Sequence, residues 1–247
     1  LDGDTDFDLF MTHLSGESNT YYANEGERGF QDRTSGVGML GSSLPLTGFG
    51  AVAGDFDLDG DLDLALVNGH VFRMPPGEGA PLESAAPGFW KDYAQRDRLL
   101  MNEDNRFVDR TADSGDFGAS RQVGRGLAVG DLDNDGRLDL VVANCNGPGE
   151  VFLNRATTPG HWLGIRVLNA HGQHALGASV EVIAGTRRWL RTVRGCGSYL
   201  SSSDPRVHIG LGEETTPEQA IVTWPDGSRE SFRQLGMNHY VTLQDGE

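Results

Sequence analysis

The chain has 247 residues, enough to bury about 70% of the surface that its unfolded form would expose, which excludes a disulfide-stapled mini-protein. Its 36 acidic residues outnumber the 20 basic ones and give a net charge of −16. That charge excludes the basic surface that nucleic acid requires. No apolar run approaches the length of a membrane span, so we expect no transmembrane segment. The 35 glycines and short apolar runs predict an all-β protein.

The acidic residues are concentrated in the first part of the chain. Residues 1–155 hold 27 of them against 12 basic residues, whereas residues 156–247 are almost neutral. The residue pattern changes at the same place, because acidic loops end and short alternating strands begin. We therefore predict two domains, at 1–155 and 156–247.

Two acidic loops share one pattern, D-x-D-x-D-G-x-x-D, at residues 55–63 and 131–139. Their period is 76 residues, and an apolar run leads into and out of each loop, as in a buried β-hairpin. An outer element at 22–34 is repeated at 100–111, and a third copy begins at 151–154. Repeats of this size, built from short strands, predict part of a β-propeller.

The loop spacing predicts a calcium site. Aspartates at positions 1, 3, 5 and 9, a glycine that permits the turn at position 6 and a carbonyl at position 7 form an all-oxygen cage, whose flexibility suits calcium better than magnesium. An empty, solvated turn is the alternative, but carboxylates this close would repel one another. The predicted ligands are Asp55, Asp57, Asp59, Asp61 through its carbonyl and Asp63 in the first loop, and Asp131, Asp133, Asp135, Arg137 through its carbonyl and Asp139 in the second.

The chain begins inside a third copy of this loop. Asp2, Asp4, Asp6 and Asp8 occupy positions 3, 5, 7 and 9, with Thr5 in place of the glycine. We expect a third, partial calcium site there and expect residue 1 to lie within a longer natural chain. Two blades and a fraction cannot close a ring, so we also expect the remaining propeller blades or a neighbouring chain to complete it.

A Pro/Gly-rich insertion occupies residues 71–98, between the complete loops. Insertions of this kind project from one face of a propeller, either as packed surface loops or as binding surfaces. Phe89, Trp90 and Tyr93 cluster in it. They are the candidate residues for a binding surface.

Seven short alternating strands follow, at 162–168, 178–184, 188–193, 206–211, 219–224, 228–232 and 239–243. Glycine, proline and aspartate turns separate them. This pattern predicts a small β-sandwich or barrel.

These motifs carry a family resemblance. Residues 19–155 resemble FG-GAP or VCBS propeller repeats, and residues 161–245 resemble the ASPIC and UnbV domain through Gly177-Ala178 and the segments at 195–201, 204–212 and 222–227. The order of the two parts is similar to the cartilage acidic protein family and its bacterial relatives. The resemblance implies a secreted, periplasmic or cell-surface calcium-binding protein whose propeller presents a surface to a protein or glycan.

The chain departs from that resemblance at Cys145 and Cys196, its only cysteines. They fall in different predicted domains. A disulfide that clamps the sandwich to the last blade is one hypothesis, and two buried free thiols are the other.

Two classes of function remain open. The sequence lacks a nucleophile elbow, a zinc-protease helix, a P-loop and a C-x-x-C pair, so no catalytic residue is predicted. This favours a calcium-stabilised interaction or adhesion module, either an adhesin or matrix component or a subunit of a surface assembly. The alternative is a propeller enzyme, a cyclase, isomerase or hydrolase, with its active site in the propeller pocket or in the 71–98 insertion.

Overall fold

The structure is a computed structural model that describes residues 1–73, 86, 88–119, 121–157, 160–213 and 216–246. Part of the predicted insertion, residues 74–85 and 87, lies outside this range. The described residues form mainly short strands, numbered β1 to β21 in chain order, and the all-β prediction is confirmed.

The acidic part of the chain forms three main sheets, with the strands in chain order within each. The first contains β1 (Leu9–Met11), β2 (Thr20–Asn24) and β3 (Phe30–Asp32). The second contains β4 (Gly48–Gly54), β5 (Asp63–Asn68), β7 (Arg98–Glu103) and β8 (Arg106–Asp109), and the third contains β10 (Gly124–Gly130), β11 (Asp139–Asn144) and β12 (Glu150–Phe152). Between them, β6 (Gln95–Arg96) pairs with β9 (Arg121–Gln122), which follows the one-turn helix α1 (Asp116–Ala119). Short 3₁₀ turns lie at Gly26–Arg28, Gly88–Tyr93 and Thr111–Asp113.

The three sheets pack face to face, as propeller blades do. Tyr21 and Met39 pack with Leu64 of the second sheet, and Val67 of that sheet packs with Leu127 of the third. The array is open, with no closed ring among the described residues, and the partial propeller is confirmed.

The position of a sheet in this stack decides how much of it is buried. β5 lies in the middle sheet, and all six of its residues are buried. β11 has a similar apolar sequence but lies in the last sheet, where Val141 and, on β12, Val151 are exposed. These exposed side chains form a face that another blade or another chain could cover.

The C-terminal part forms two sheets around a shared core. One has the order β18-β13-β21, from β13 (His161–Leu168), β18 (Val207–Gly212) and β21 (His239–Gln244), with β13 and β21 parallel. The other has the order β15-β14-β19-β20, from β14 (Ser179–Ala184), β15 (Arg187–Thr192), β19 (Gln219–Thr223) and β20 (Arg229–Arg233).

The core of this part is filled from both sheets. Leu163, Ile165 and Ile209 of one sheet pack with Val180 and Val182 of the other, all fully buried. The C-terminal part is therefore a sandwich. All seven predicted strands are present, and the sequence missed the ribbon of β16 (Cys196–Ser198) and β17 (Ser201–Ser202).

Candidate metal centre

The first acidic loop joins β4 to β5, and its carboxylates converge as the spacing predicts. Asp55, Asp57 and Asp63 each offer one oxygen, and these oxygens all lie within 4.8 Å of one another. Leu58 and Gly60 have positive φ angles of 64° and 102°, which turn the backbone back on itself. The glycine at position 6 fits this requirement because it lacks a Cβ.

The second loop, between β10 and β11, repeats this geometry. Asp131, Asp133 and Asp139 form the second group of oxygens within 4.8 Å. Asn134 and Gly136, at positions 4 and 6, have φ angles of 59° and 88°. The two loops thus share their backbone conformation as well as their sequence.

The aspartate at position 1 shapes the turn from within. Asp55 is 1% exposed, and its Oδ2 accepts the Gly60 N–H at 2.9 Å. Asp131 accepts the Gly136 N–H in the same way, also at 2.9 Å. The other oxygen of Asp55, Oδ1, is buried and has no hydrogen-bond partner among the described residues. A buried carboxylate oxygen without a donor is the kind of atom that a cation satisfies.

The aspartate at position 9 connects the loop to the rest of its sheet. Asp63 accepts the N–H of Phe56 at 2.9 Å and the N–H of Asn102 at 2.8 Å. Asp139 accepts the N–H of Leu132 and of Asn154, both at 2.8 Å. Each carboxylate therefore ties the beginning of the loop and the start of the second strand to the third strand or to the residues just after it.

The predicted ligands at position 5 stand apart from these groups. Asp59 and Asp135 are not among the convergent carboxylates, because each accepts the N–H of position 7 in its own loop. Asp135 also pairs with Arg137 and Arg155. Three carboxylates of each predicted set are brought together, and the fourth caps the turn.

The convergent carboxylates are difficult to ionise together. Burial, with smaller contributions from neighbouring Asp59 and Asp57, raises the pKa of Asp55 to about 7. Burial also raises the pKa of Asp63 to about 8, against the two N–H donors that lower it. A bound cation removes this cost, since it favours the ionised form of every carboxylate that it contacts. The donor set is all oxygen, so these residues fit a hard divalent cation such as calcium.

The N-terminal loop has the backbone of the other two without their cluster. Gly3 and Thr5, at positions 4 and 6, have φ angles of 79° and 70°. Asp8 accepts the N–H of Asn24 at 3.0 Å and bonds the amino group of Leu1, the equivalents of the Asp63 bonds. Within the described residues, Asp2, Asp4 and Asp6 do not form a third convergent group with Asp8. The partial site therefore stays a prediction.

The sequence did not show what covers the two loops. Five residues of the sandwich contact them, on β15, β18 and β21 and, for Arg206, just before β18: Arg187, Trp189, Arg206, His208 and Tyr240. These residues lie 70 to 130 positions from the loops in the chain. No spacing within one sequence links such distant residues.

A cleft of about 750 Å³ lies beside this contact. Its walls come from the inner strands of the three stacked sheets, the N-terminal loop and the sandwich, and they include Arg191, Arg194 and His208. The Nε of Arg191 and the Nδ1 of His208 are buried and have no partner in the described part of the chain. The cleft therefore offers unused polar groups to a ligand.

The aromatic cluster predicted in the insertion is formed. Phe89, Trp90 and Tyr93 lie on the 3₁₀ turn with ring centroids 5.3 to 5.6 Å apart. Trp90 and Tyr93 pack against Val123, whereas Phe89 is 61% exposed. Only one of the three rings is freely available at the surface.

Both cysteines are free in the structure, and the disulfide between them stays a hypothesis. Cys145 is half-buried and packs against Ala94 and Val123, while Cys196 is exposed on the β16–β17 ribbon. The alternative hypothesis of two buried thiols differs from the structure at Cys196. The thiols differ because one follows a packed strand and the other lies on a surface ribbon.

Comparison with protein families assigns the two parts of the chain. Residues 1–66 match the FG-GAP-like repeat, residues 123–153 match the FG-GAP repeat and residues 169–247 match ASPIC and UnbV. The chain therefore carries FG-GAP repeats followed by an ASPIC and UnbV domain. In the described residues, no helix is long and apolar enough to cross a membrane.

Similar proteins include three that are named cartilage acidic protein 1. The one from Xenopus tropicalis is 30% identical over 182 residues, which cover 71% of this chain and 25% of that protein. The one from Homo sapiens is 25% identical over a match 270 positions long, which covers 91% of this chain and 39% of that protein. The one from Mus musculus is 30% identical over 140 residues, which cover 54% of this chain and 21% of that protein. The chain thus spans two fifths or less of the length of these relatives.

Proposed function

We propose that this protein is a calcium-binding interaction module that acts outside the cytoplasm, as a secreted, periplasmic or cell-surface protein. The observation that carries the proposal is the pair of groups of three convergent carboxylates in equivalent loops, with two of the three buried in each loop. The FG-GAP repeats, the ASPIC and UnbV domain and the similarity to cartilage acidic protein 1 support an extracellular adhesion or interaction role.

Calcium suits these loops better than magnesium. Magnesium requires a strict octahedron at short distances, whereas calcium accepts more oxygens in a flexible arrangement. Each loop offers carboxylates at positions 1, 3 and 9 on a backbone with two residues of positive φ. Such a loop can adjust around a larger ion.

The partner is a protein or glycan, and two surfaces are available to it. The first is the cleft, where Arg191 carries a buried Nε without a partner in the described residues. The second is the aromatic turn with its exposed Phe89. In a chain of net charge −16, the arginines of the cleft favour a partner with a negatively charged group.

The cleft also bears on the alternative of an enzyme. It contains a histidine, arginines and a carboxylate that is not in the metal loops, as a catalytic pocket would. However, His208 contacts the Gly136 carbonyl at 2.7 Å, and Asp204 is paired with Arg206 at 2.6 Å. Because these groups already have partners that hold the sandwich on the loops, the cleft supports binding more than catalysis.

Calorimetric titration with calcium and with magnesium tests the proposal. We expect about two calcium ions per chain to bind, with much weaker binding of magnesium. Asp57→Asn together with Asp133→Asn removes one carboxylate from each loop and should abolish calcium binding. Glu27→Gln, on the exposed 3₁₀ turn, is the control because it removes a negative charge outside the loops. Failure of the unaltered protein to bind calcium would overturn the proposal.

A further inference from the structure

The sandwich lies directly on the first acidic loop. Trp189 donates its indole N–H to the Gly60 carbonyl at 2.9 Å. Gly212 donates its N–H to the Leu58 carbonyl at 2.9 Å, and Arg187 reaches the Asp59 carbonyl at 3.2 Å. These acceptors are consecutive carbonyls at positions 4 to 6, so the sandwich is hydrogen-bonded directly to the turn of the loop.

The second loop is held by a parallel set of contacts. His208 donates from Nε2 to the Gly136 carbonyl at 2.7 Å, again at position 6. Arg206 donates to the Asp131 carbonyl at 2.7 Å and to the Asn134 side chain at 2.6 Å. Tyr240 donates its hydroxyl to Asp131 Oδ2 at 2.8 Å. One of the convergent carboxylates is thus bonded directly by the sandwich.

Close packing leaves little freedom at these contacts. A Cβ at Gly210 of the sandwich would overlap the Asp55 carboxylate, and one at Gly136 would overlap the Trp162 ring. Two chain segments can approach this closely only where a side chain is missing. The fit therefore depends on the loop keeping the shape in which its carboxylates converge.

That shape is the one that a cation stabilises. Without a cation, three carboxylates whose oxygens lie within 4.8 Å repel one another, and this repulsion favours opening of the loop. Opening moves the carbonyls of Gly60 and Gly136, which Trp189 and His208 bind. The loop conformation that binds the cation and the one that docks the sandwich are therefore the same.

We propose that cation binding by the two acidic loops and docking of the sandwich are coupled, with Trp189 and Tyr240 as positioning residues for the metal sites. This inference rests on the proposed calcium binding. Coupling between two sites is reciprocal, so a cation that strengthens docking must itself be bound more tightly when the sandwich is docked. A substitution in the sandwich should then weaken a metal site to which the substituted residue contributes no ligand.

Calcium titration of full-length variants tests this reciprocity. Trp189→Phe removes the indole N–H and keeps an aromatic ring, and Tyr240→Phe removes only the hydroxyl. Each should weaken one calcium site about 3- to 10-fold, the loss expected for one hydrogen bond that holds a loop. Trp224→Phe is the matched control, because Trp224 is buried in the sandwich and its N–H goes to Glu230. Its calcium affinity should change less than twofold.

Amide hydrogen exchange of the unaltered chain gives a second readout. When calcium is removed with a chelator, exchange should accelerate in β15 and β18, which face the loops, more than in β19, which lies in the sandwich core. Absence of calcium binding in the unaltered protein would overturn the proposed function together with the inference. The coupling is refuted, and the calcium sites stand, if calcium binds but the two variants have the same calcium affinity as Trp224→Phe. The same holds if amide exchange in β15 and β18 does not accelerate when calcium is removed.

Discussion

The carboxylate of Asp63 accepts the backbone N–H of Asn102, 39 residues further along the chain, at 2.8 Å. The same carboxylate accepts the N–H of Phe56 at the start of its own loop. Asp139 with Asn154 and Asp8 with Asn24 repeat the first of these bonds. The last aspartate of the loop motif is therefore a structural connector in every repeat, whether or not it also binds a cation.

Asp63→Asn should destabilise the protein even in the presence of a chelator. An amide group can accept on one side only, so its NH₂ would face the N–H of Phe56 or Asn102 and leave a buried donor unpaired. We expect a loss of about 1 to 3 kcal/mol in the free energy of unfolding. Urea denaturation in chelator-containing buffer measures it.

Asp57→Asn is the comparison variant for this prediction. Asp57 belongs to the same convergent group, but its hydrogen bond, from the Asp59 N–H, is long at 3.4 Å. In chelator it should be no less stable than the unaltered protein, because the substitution removes one of the repelling charges. Equal losses in the free energy of unfolding for both variants would show that Asp63 has no separate structural role.

Gly210→Ala should loosen the contact between the sandwich and the first loop. The added methyl group would overlap the Asp55 carboxylate, and overpacking of this kind costs about 1 to 3 kcal/mol. Gly195→Ala is a suitable control, since its nearest neighbour is the Ser203 carbonyl at 3.7 Å and its φ is not left-handed. Thermal unfolding should show a clear drop in melting temperature for Gly210→Ala only. A drop of the same size in both variants would contradict the close fit.

The local features of this fold could be predicted from the sequence, and the long-range ones could not. The nine-residue pattern around Asp55 and Asp131 determines a turn, a carboxylate cluster and two flanking strands, all within one hairpin. The exposure of Val141 could not be foreseen, because it depends on how many sheets stack beyond it. The bond from Trp189 to Gly60 spans 129 residues, and an alternating strand does not indicate which partner its outward residues meet.

A buried carboxyl outside the loops should make stability depend on pH. Asp97 is 4% exposed and accepts the Asn68 N–H at 3.0 Å, and burial raises its pKa to about 8. With a raised pKa, the folded state binds more protons than the unfolded state between about pH 4 and pH 8. Stability should therefore fall as pH rises through this range, with a slope from this group of up to about 1.4 kcal/mol per pH unit.

Asp97→Asn isolates this contribution. The asparagine keeps an oxygen for the Asn68 N–H and does not ionise, so the difference in unfolding free energy between the two proteins should change with pH. The free energy of unfolding of the variant should rise relative to that of the unaltered protein between pH 5 and pH 7. Urea denaturation in calcium-saturated buffer measures this change. A constant difference across these pH values would show that Asp97 titrates normally.

The two thiols should react at different rates in the unreduced protein. Cys196 is exposed on its ribbon, whereas Cys145 is half-buried against Ala94 and Val123. A thiol reagent such as Ellman's reagent should therefore modify Cys196 first and Cys145 more slowly, and Cys196→Ser should remove only the fast phase. In denaturant, both thiols should react together without a reductant. If neither thiol reacts in denaturant until a reductant is added, a disulfide joins the last blade to the sandwich, and the predicted difference in reaction rates is refuted.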